Sequence, residues 1–171
     1  MDLPTGLVIP LAGAAALRAE LEAGNPGLRI VATNGCFDLL HVGHLRYLTE
    51  ARARGDLLWV GLNGDASVTA LKGPTRPVNC EDDRAEILAA LRVVDLVTIF
   101  PEVRAHRFLE AVRPHLYVKG GDYTVDQFDP GERAVLQAVG AEIEVLPLVP
   151  GKSTTGTLRR IGGKSISEQS S

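Results

Sequence analysis

His41 and His44 stand three residues apart in the run Asn34-Gly35-Cys36-Phe37-Asp38-Leu39-Leu40-His41-Val42-Gly43-His44. In the first turn of a helix that spacing carries both imidazoles to one side, and Gly43 lets a phosphate approach the main chain. A helix start adds unpaired N–H groups and partial positive charge. The chemistry suited to such a place is anion handling: imidazoles that hold polyphosphate oxygens and stabilise charge developing during transfer. The plain alternative is one structural and one surface histidine. Zinc is a further reading, since Cys36, His41 and His44 offer three ligand types, but no Cys-x-x-Cys pair supplies the rest of a site.

Other segments fit the same chemistry. Lys72 and Arg76 lie in a Gly/Pro-rich stretch suited to a mobile cationic flap over phosphates, or to a solvated surface pair. In Lys119-Gly120-Gly121-Asp122 two glycines permit close backbone approach, and a carboxylate can accept from a sugar or nucleotide hydroxyl. Asp38 reads equally as a turn cap or as a group that positions a sugar phosphate or holds Mg²⁺. Arg84, among Glu81, Asp82 and Asp83, reads as a surface ion pair, with a phosphate or structural role as the alternative. Gly151-Lys152-Ser153-Thr154 is not a P-loop, because Leu146 stands where that motif needs glycine. Ser153 and Thr154 instead open a last helix, either as a plain cap or as a second phosphate cradle.

These residues need a frame that brings them together. Arg29 to Thr33 is a β-branched run, Leu57 to Leu62 is continuously apolar, and Leu96 to Phe100, Leu116 to Val118 and Ile143 to Val149 are further strand-like runs. Between them lie helical periods: Leu45, Leu48 and Ala51; Ile87, Leu88, Leu91 and Val94 after a capping signal at Asn79; Ala105, Phe108, Leu109 and Val112; and Val135, Ala138 and Val139. The alternation predicts a single α/β Rossmann-like domain, a five-stranded parallel sheet with helices on both faces. Ligands of such sheets sit beyond the carboxyl ends of the strands, near the switch in strand order. The domain is expected over residues 29–161, preceded by a helical extension (1–28, with a helix from Leu11 to Ala23) and followed by a frayed polar tail (162–171).

Composition narrows the partners. The chain has 171 residues and a formal charge of −3, enough for one well-buried core and without the basic excess of a nucleic-acid binder. No apolar run reaches the ~18 residues of a membrane span. Cys36 and Cys80 make no disulfide framework, and Asp2 and Pro10 break the pattern of a signal peptide, so a cytoplasmic protein is expected, with neither nucleic acid nor membrane as partner.

The segment Gly35 to His44 resembles the signature of the cytidylyltransferase-like nucleotidyltransferases. Thr33-Asn34, Leu62 to Val68, Leu71-Lys72-Gly73 with Arg76 to Asn79, Asp83 to Glu86, Val118 to Tyr123 and Gly151 to Thr155 are similar to one branch, the heptose 1-phosphate adenylyltransferases of ADP-heptose synthesis. The resemblance covers about Arg29 to Ile161. It departs at Cys80, where a small polar residue is usual, and in the amino-terminal extension. In that branch the domain is often fused behind a sugar kinase, for which this length leaves no room, so a stand-alone form or an isolated piece is expected.

The resemblance implies transfer of AMP from ATP to a sugar 1-phosphate, with Mg²⁺ carried by the nucleotide phosphates and no metal held by the protein alone. It implies His41, His44 and Lys72 as catalytic groups. Gly35, Cys36, Phe37, His41, Gly43, His44, Lys119, Gly120, Asp122, Ser153, Thr154 and Thr155 would bind the nucleotide, and Asp38, Lys72, Arg76 and Asp122 the sugar phosphate. A homodimer is the assembly it suggests. The readings beside it are a cytidylyltransferase using CTP with a small phosphate or phosphonate acceptor, and a non-catalytic nucleotide-binding module.

Overall fold

The run Leu57–Asn63 is buried at every position, as a strand covered by helices on both faces must be. The structure, a computed structural model, describes residues 3–121 and 128–147. In chain order the elements are β1 (Leu7–Val8), α1 (Leu11–Gly24), β2 (Ile30–Gly35), α2 (Val42–Arg52), β3 (Leu57–Asn63), α3 (Asp65–Lys72), α4 (Glu81–Ala89), β4 (Leu96–Phe100), α5 (His106–Val112), β5 (Leu116–Gly120), α6 (Pro130–Ala138) and β6 (Glu142–Leu146). The strands form one sheet in the order β1-β4-β3-β2-β5-β6, parallel throughout.

The chain starts outward from β2 to β3 and β4, then crosses back to place β5 on the other side of β2. Connections running in the first direction carry α2 and α4, whose Tyr47, Leu48 and Leu88 join a core with Val31, Val60 and Val97. Those running the other way carry α1, α5 and α6, whose Leu21, Phe108 and Leu136 pack with Ile30, Trp59 and Tyr117 on the opposite face. Crossovers of a single hand require this division.

The five-stranded expectation is corrected to six. The added strand is β1, which pairs Leu7 with Leu96 and Val8 with Val97 at the sheet edge. Two residues, both exposed, carry no periodicity to read. The amino-terminal segment is therefore more than a helical extension: β1 completes the sheet, and Ala14 and Leu21 of α1 are core residues. Three helices also differ from expectation. Asp65–Lys72 is helical, which places Lys72 at a helix end instead of in a loop. The helix after Asn79 is capped at Cys80 and ends at Ala89, so Leu91 and Val94 lie beyond it and Ile87 is exposed. In α2 the buried face is Tyr47, Leu48 and Ala51, while Leu45 points outward. Val149, expected to end the last strand, and the 162–171 tail lie outside the described residues.

The switch in strand order lies between β2 and β5, and there the sheet parts. Along β2 all six residues pair with β3, but only Val31 and Ala32 pair with β5. Where the two strands separate, the Tyr47 hydroxyl from α2 fills the gap: it donates to the Val118 carbonyl at 2.9 Å and shares a 2.6 Å hydrogen bond with Thr33 Oγ1. Tyr47→Phe leaves that buried carbonyl and Thr33 without this partner and should destabilise the protein by about 1–3 kcal/mol. In urea unfolding the midpoint is expected to fall with the m-value unchanged.

Candidate active site

A cavity of about 400 Å³ opens above the parted strands, lined by the end of β2 and the turn after it (Asn34 to Asp38), by His44 of α2, by Asn63, Leu71, Lys72 and Arg76, and by Val103, Arg104, Lys119 and Glu132. Phe37 makes the turn out of β2. Its backbone is left-handed, with φ of 41°, a conformation a bulky residue adopts only when its surroundings impose it. The ring folds back on its own strand, and a Cβ on Gly35 would stand 3.0 Å from it. Phe37 then meets His44 edge to face, ring centres 5.4 Å apart.

His41 caps α2 from an extended backbone, and its carbonyl accepts from the His44 N–H at 2.9 Å. The His41 N–H in turn approaches His44 Nδ1 at 3.4 Å. An accepting Nδ1 places the proton of the neutral ring on Nε2. The two imidazoles stack with centres 3.8 Å apart. Burial, with the neighbouring His41 ring as the smaller cause, pushes His44 down to about 4. The ring is thus a neutral donor near pH 7 and not a standing cation. His44 lines the cavity, whereas His41 stacks against it from outside the lining.

The cationic side of the cavity is built by a buried ion pair. Asp38 and Arg76 are paired, with side-chain exposures of 3% and 12%. The other oxygen of Asp38 accepts from the Val78 N–H at 2.7 Å. Both carboxylate oxygens are committed, so Asp38 clamps the segment after α3 to the turn after β2. Thr69 Oγ1 fastens the same segment by donating to the Arg76 carbonyl at 2.7 Å. Lys72, last residue of α3, is exposed at the cavity rim.

Arg84 is neither at the surface nor in the cavity. It is 1% exposed, and its guanidinium donates to the carbonyls of Cys36, Asn63 and Asn79 and to Asp65 Oδ1. It therefore locks the ends of β2 and β3 to α3 and α4, beneath the cavity. Its spacing from a group of acidic residues suggested solvation, and only packing reveals three carbonyls aimed at one place.

On the β5 side Lys119 Nζ donates to Asn34 Oδ1 at 2.9 Å and to Tyr117 Oη at 3.1 Å. Burial lowers its pKa. Burial is also the main cause that raises the Cys36 thiol, with Lys72 acting against it. Among the described residues no group of three or more His, Cys, Asp or Glu could hold a metal ion, so a zinc site on Cys36, His41 and His44 has no support in the geometry. Of the residues expected at the site, the structure brings Gly35, Cys36, Phe37, Asp38, His44, Lys72, Arg76 and Lys119 around one cavity. Gly43 lies in the first turn of α2 and Gly120 ends β5. Asp122, Ser153, Thr154 and Thr155, with the last helix, lie outside the described residues.

Asn34, Asn63, Arg104 and Glu132 also line the cavity, although sequence reasoning did not select them as site residues. Asp129-Pro130-Gly131-Glu132 has the look of an ordinary helix start, and Asp129 does cap α6 by accepting from the Gly131 and Glu132 N–H groups. Nothing in that pattern signals that Glu132 leaves its own helix for another.

The chain belongs to the cytidylyltransferase-like family, whose model matches residues 32–158. It is 51% identical over 145 residues to the bifunctional protein HldE of Aliarcobacter butzleri (strain RM4018), covering 85% of this chain and 29% of that protein. With the bifunctional protein HldE of Geotalea uraniireducens (strain Rf4) the identity is 50% over 155 residues, 91% of this chain and 31% of the relative. The chain thus spans about three tenths of the length of the curated relatives it matches. Among solved structures it is similar to a lipopolysaccharide core biosynthesis protein from Thermoplasma volcanium GSS1, with a TM-score of 0.58 and 28% identity over 72% of this chain and 98% of the other. A pantoate-β-alanine ligase from Francisella tularensis shares the fold, with a TM-score of 0.55 at 14% identity, over 85% of this chain and 67% of the ligase.

The lowered pKa of His44 gives a stability signature. Its ordinary value is 6.5 and its folded value about 4, so between these the unfolded chain binds the proton and the native state does not. The contribution of this site is complete above about pH 6.5 and is lost as the pH falls towards 4. Wild type should lose more stability than His44→Gln over that window, measured as urea midpoints at stepped pH.

Proposed function

We propose that this chain is a nucleotidyltransferase that joins the AMP of ATP to a sugar 1-phosphate, with heptose 1-phosphate as the acceptor. The observation that carries the reading is that His44, in the first turn of α2, and Lys72, at the end of α3, line one cavity at the strand-order switch. The membership in a cytidylyltransferase-like family and the half-identity to the HldE proteins support it. So does the likeness to the lipopolysaccharide core biosynthesis protein.

In this reaction an oxygen of the sugar phosphate attacks the α-phosphorus of ATP. The bond from that phosphorus to the bridging oxygen breaks, and pyrophosphate leaves with the electron pair. No protein nucleophile is required, so the protein contributes positioning and charge stabilisation. His44 donates to a phosphate oxygen at the helix start, His41 holds the His44 ring, and Lys72 reaches the phosphates from the end of α3. Asp38 and Arg76 act by positioning Lys72, because their charges are spent on each other. The expected Ser153, Thr154 and Thr155 cradle would close over the triphosphate, with Asp122 on a sugar hydroxyl. In this reading Mg²⁺ would be carried by the nucleotide phosphates, where it would supply charge neutralisation.

The test is pyrophosphate release and product mass with D-glycero-β-D-manno-heptose 1-phosphate, offered ATP and CTP separately. ADP-heptose from ATP is the expected outcome. Turnover with CTP alone would make the chain a cytidylyltransferase, and release with neither would leave another acceptor or a silent binding module. His44→Ala should fold and lose about 10²–10³-fold in turnover, and near wild-type turnover would exclude the role given to His44.

A further inference from the structure

Glu132 is the one carboxylate lining the cavity, among the described residues, whose charge is not consumed by an ion pair; Asp38, the other, is spent on Arg76. Its residue exposure is 4%. One oxygen accepts from the Ala105 N–H at the start of α5, at 2.9 Å. The other accepts no hydrogen bond among the described residues. Neither cation nearby is ion-paired to it: Arg104 is paired with Asp129, and Lys119 is hydrogen-bonded to Asn34 and Tyr117.

Its place in the fold separates it from the phosphate side. His44 comes from α2, on one face of the sheet, and Lys72 from the connection between β3 and β4 that also carries α4 on that face, whereas Glu132 comes from α6 on the opposite face. A ligand filling this cavity reaches from one face to the other across the strand ends. A buried carboxylate repels phosphate and keeps its charge usefully only against hydrogen-bond donors. We infer that Glu132 marks a sugar subsite, where its cavity-facing oxygen accepts from a ring hydroxyl of the polyhydroxylated part of a substrate while the phosphates lie against His44 and Lys72. This rests on the nucleotidyl-transfer reading for the identity of the ligands. The hydroxyl belongs either to the ribose of the nucleotide or to the acceptor sugar.

Glu132→Gln is the discriminating variant, because its amide oxygen can still accept from Ala105 while the cavity-facing acceptor is replaced by an uncharged NH2 donor. Its melting temperature should match wild type. Binding is measured by calorimetry on both proteins with ATP, with D-glycero-β-D-manno-heptose 1-phosphate, and with inorganic pyrophosphate as a probe without sugar. The expected result is about tenfold weaker binding of one sugar-bearing ligand with pyrophosphate unchanged. If the ribose is the partner, ATP weakens, and either 2′-deoxyATP or 3′-deoxyATP loses the difference between variant and wild type. If the acceptor is the partner, the heptose phosphate weakens and ATP does not. Equal affinities in both proteins for all three ligands, or equal weakening of all three, would overturn the subsite. Wild type that binds both substrates yet releases no pyrophosphate would overturn the reaction alone, and wild type that binds neither would overturn both.

Discussion

The parting of β2 from β5 is the constraint on which the rest of this protein depends. Parallel strands that stayed paired to their ends would leave no opening at the switch in strand order. Here the pairing stops after Val31 and Ala32, and side chains bridge the gap in place of further strand pairing, one of them on a backbone carbonyl. Tyr47 bridges Thr33 and Val118, and Asn34 accepts from both Tyr117 and Lys119. The gap is thus a hydrogen-bonded structure in its own right, and it fixes α2, which carries Tyr47 and His44, relative to both strands.

A second anchor lies under the cavity on the β3 side. Arg84 is a fully buried cation whose four hydrogen bonds end on three backbone carbonyls and one carboxylate. Such a group costs much to bury and is retained only where its partners are complete. It joins the turn after β2 to the end of β3 and to the starts of α3 and α4. The Asp38–Arg76 pair then fastens the segment after α3 onto that turn. Lys72 is placed by two buried charge networks although it belongs to neither.

Electrostatically the cavity is divided. On the α2 side stand a neutral imidazole donor and an exposed lysine, groups that can answer negative charge without being repelled by one another. On the α5 and α6 side a carboxylate is held at Ala105 with cations near it but unpaired to it. The two halves thus differ in what they offer a ligand: donors and cations on the α2 side, and a carboxylate acceptor beside Arg104 and Lys119 on the other.

From the residues alone, the α/β alternation, five of the six strands and the anion-handling character of Gly35 to His44 were legible, because buried parallel strands are continuously apolar and a helix start has a local signature. The edge strand Leu7–Val8 was not, since two exposed residues have no period. Residue type likewise made Asp38, Arg76 and Arg84 candidates for ligand or surface roles, and it could not show their partners, 38 residues apart for the first pair and up to 48 for the Arg84 guanidinium. Glu132 sits in the first turn of α6, and only the packing of α6 against α5 turns its carboxylate to Ala105. Local sequence determined which groups were available and what elements they begin. Which of those groups remain unspent and face a ligand was decided by tertiary structure, because a charged side chain is consumed or left free by neighbours distant in the chain.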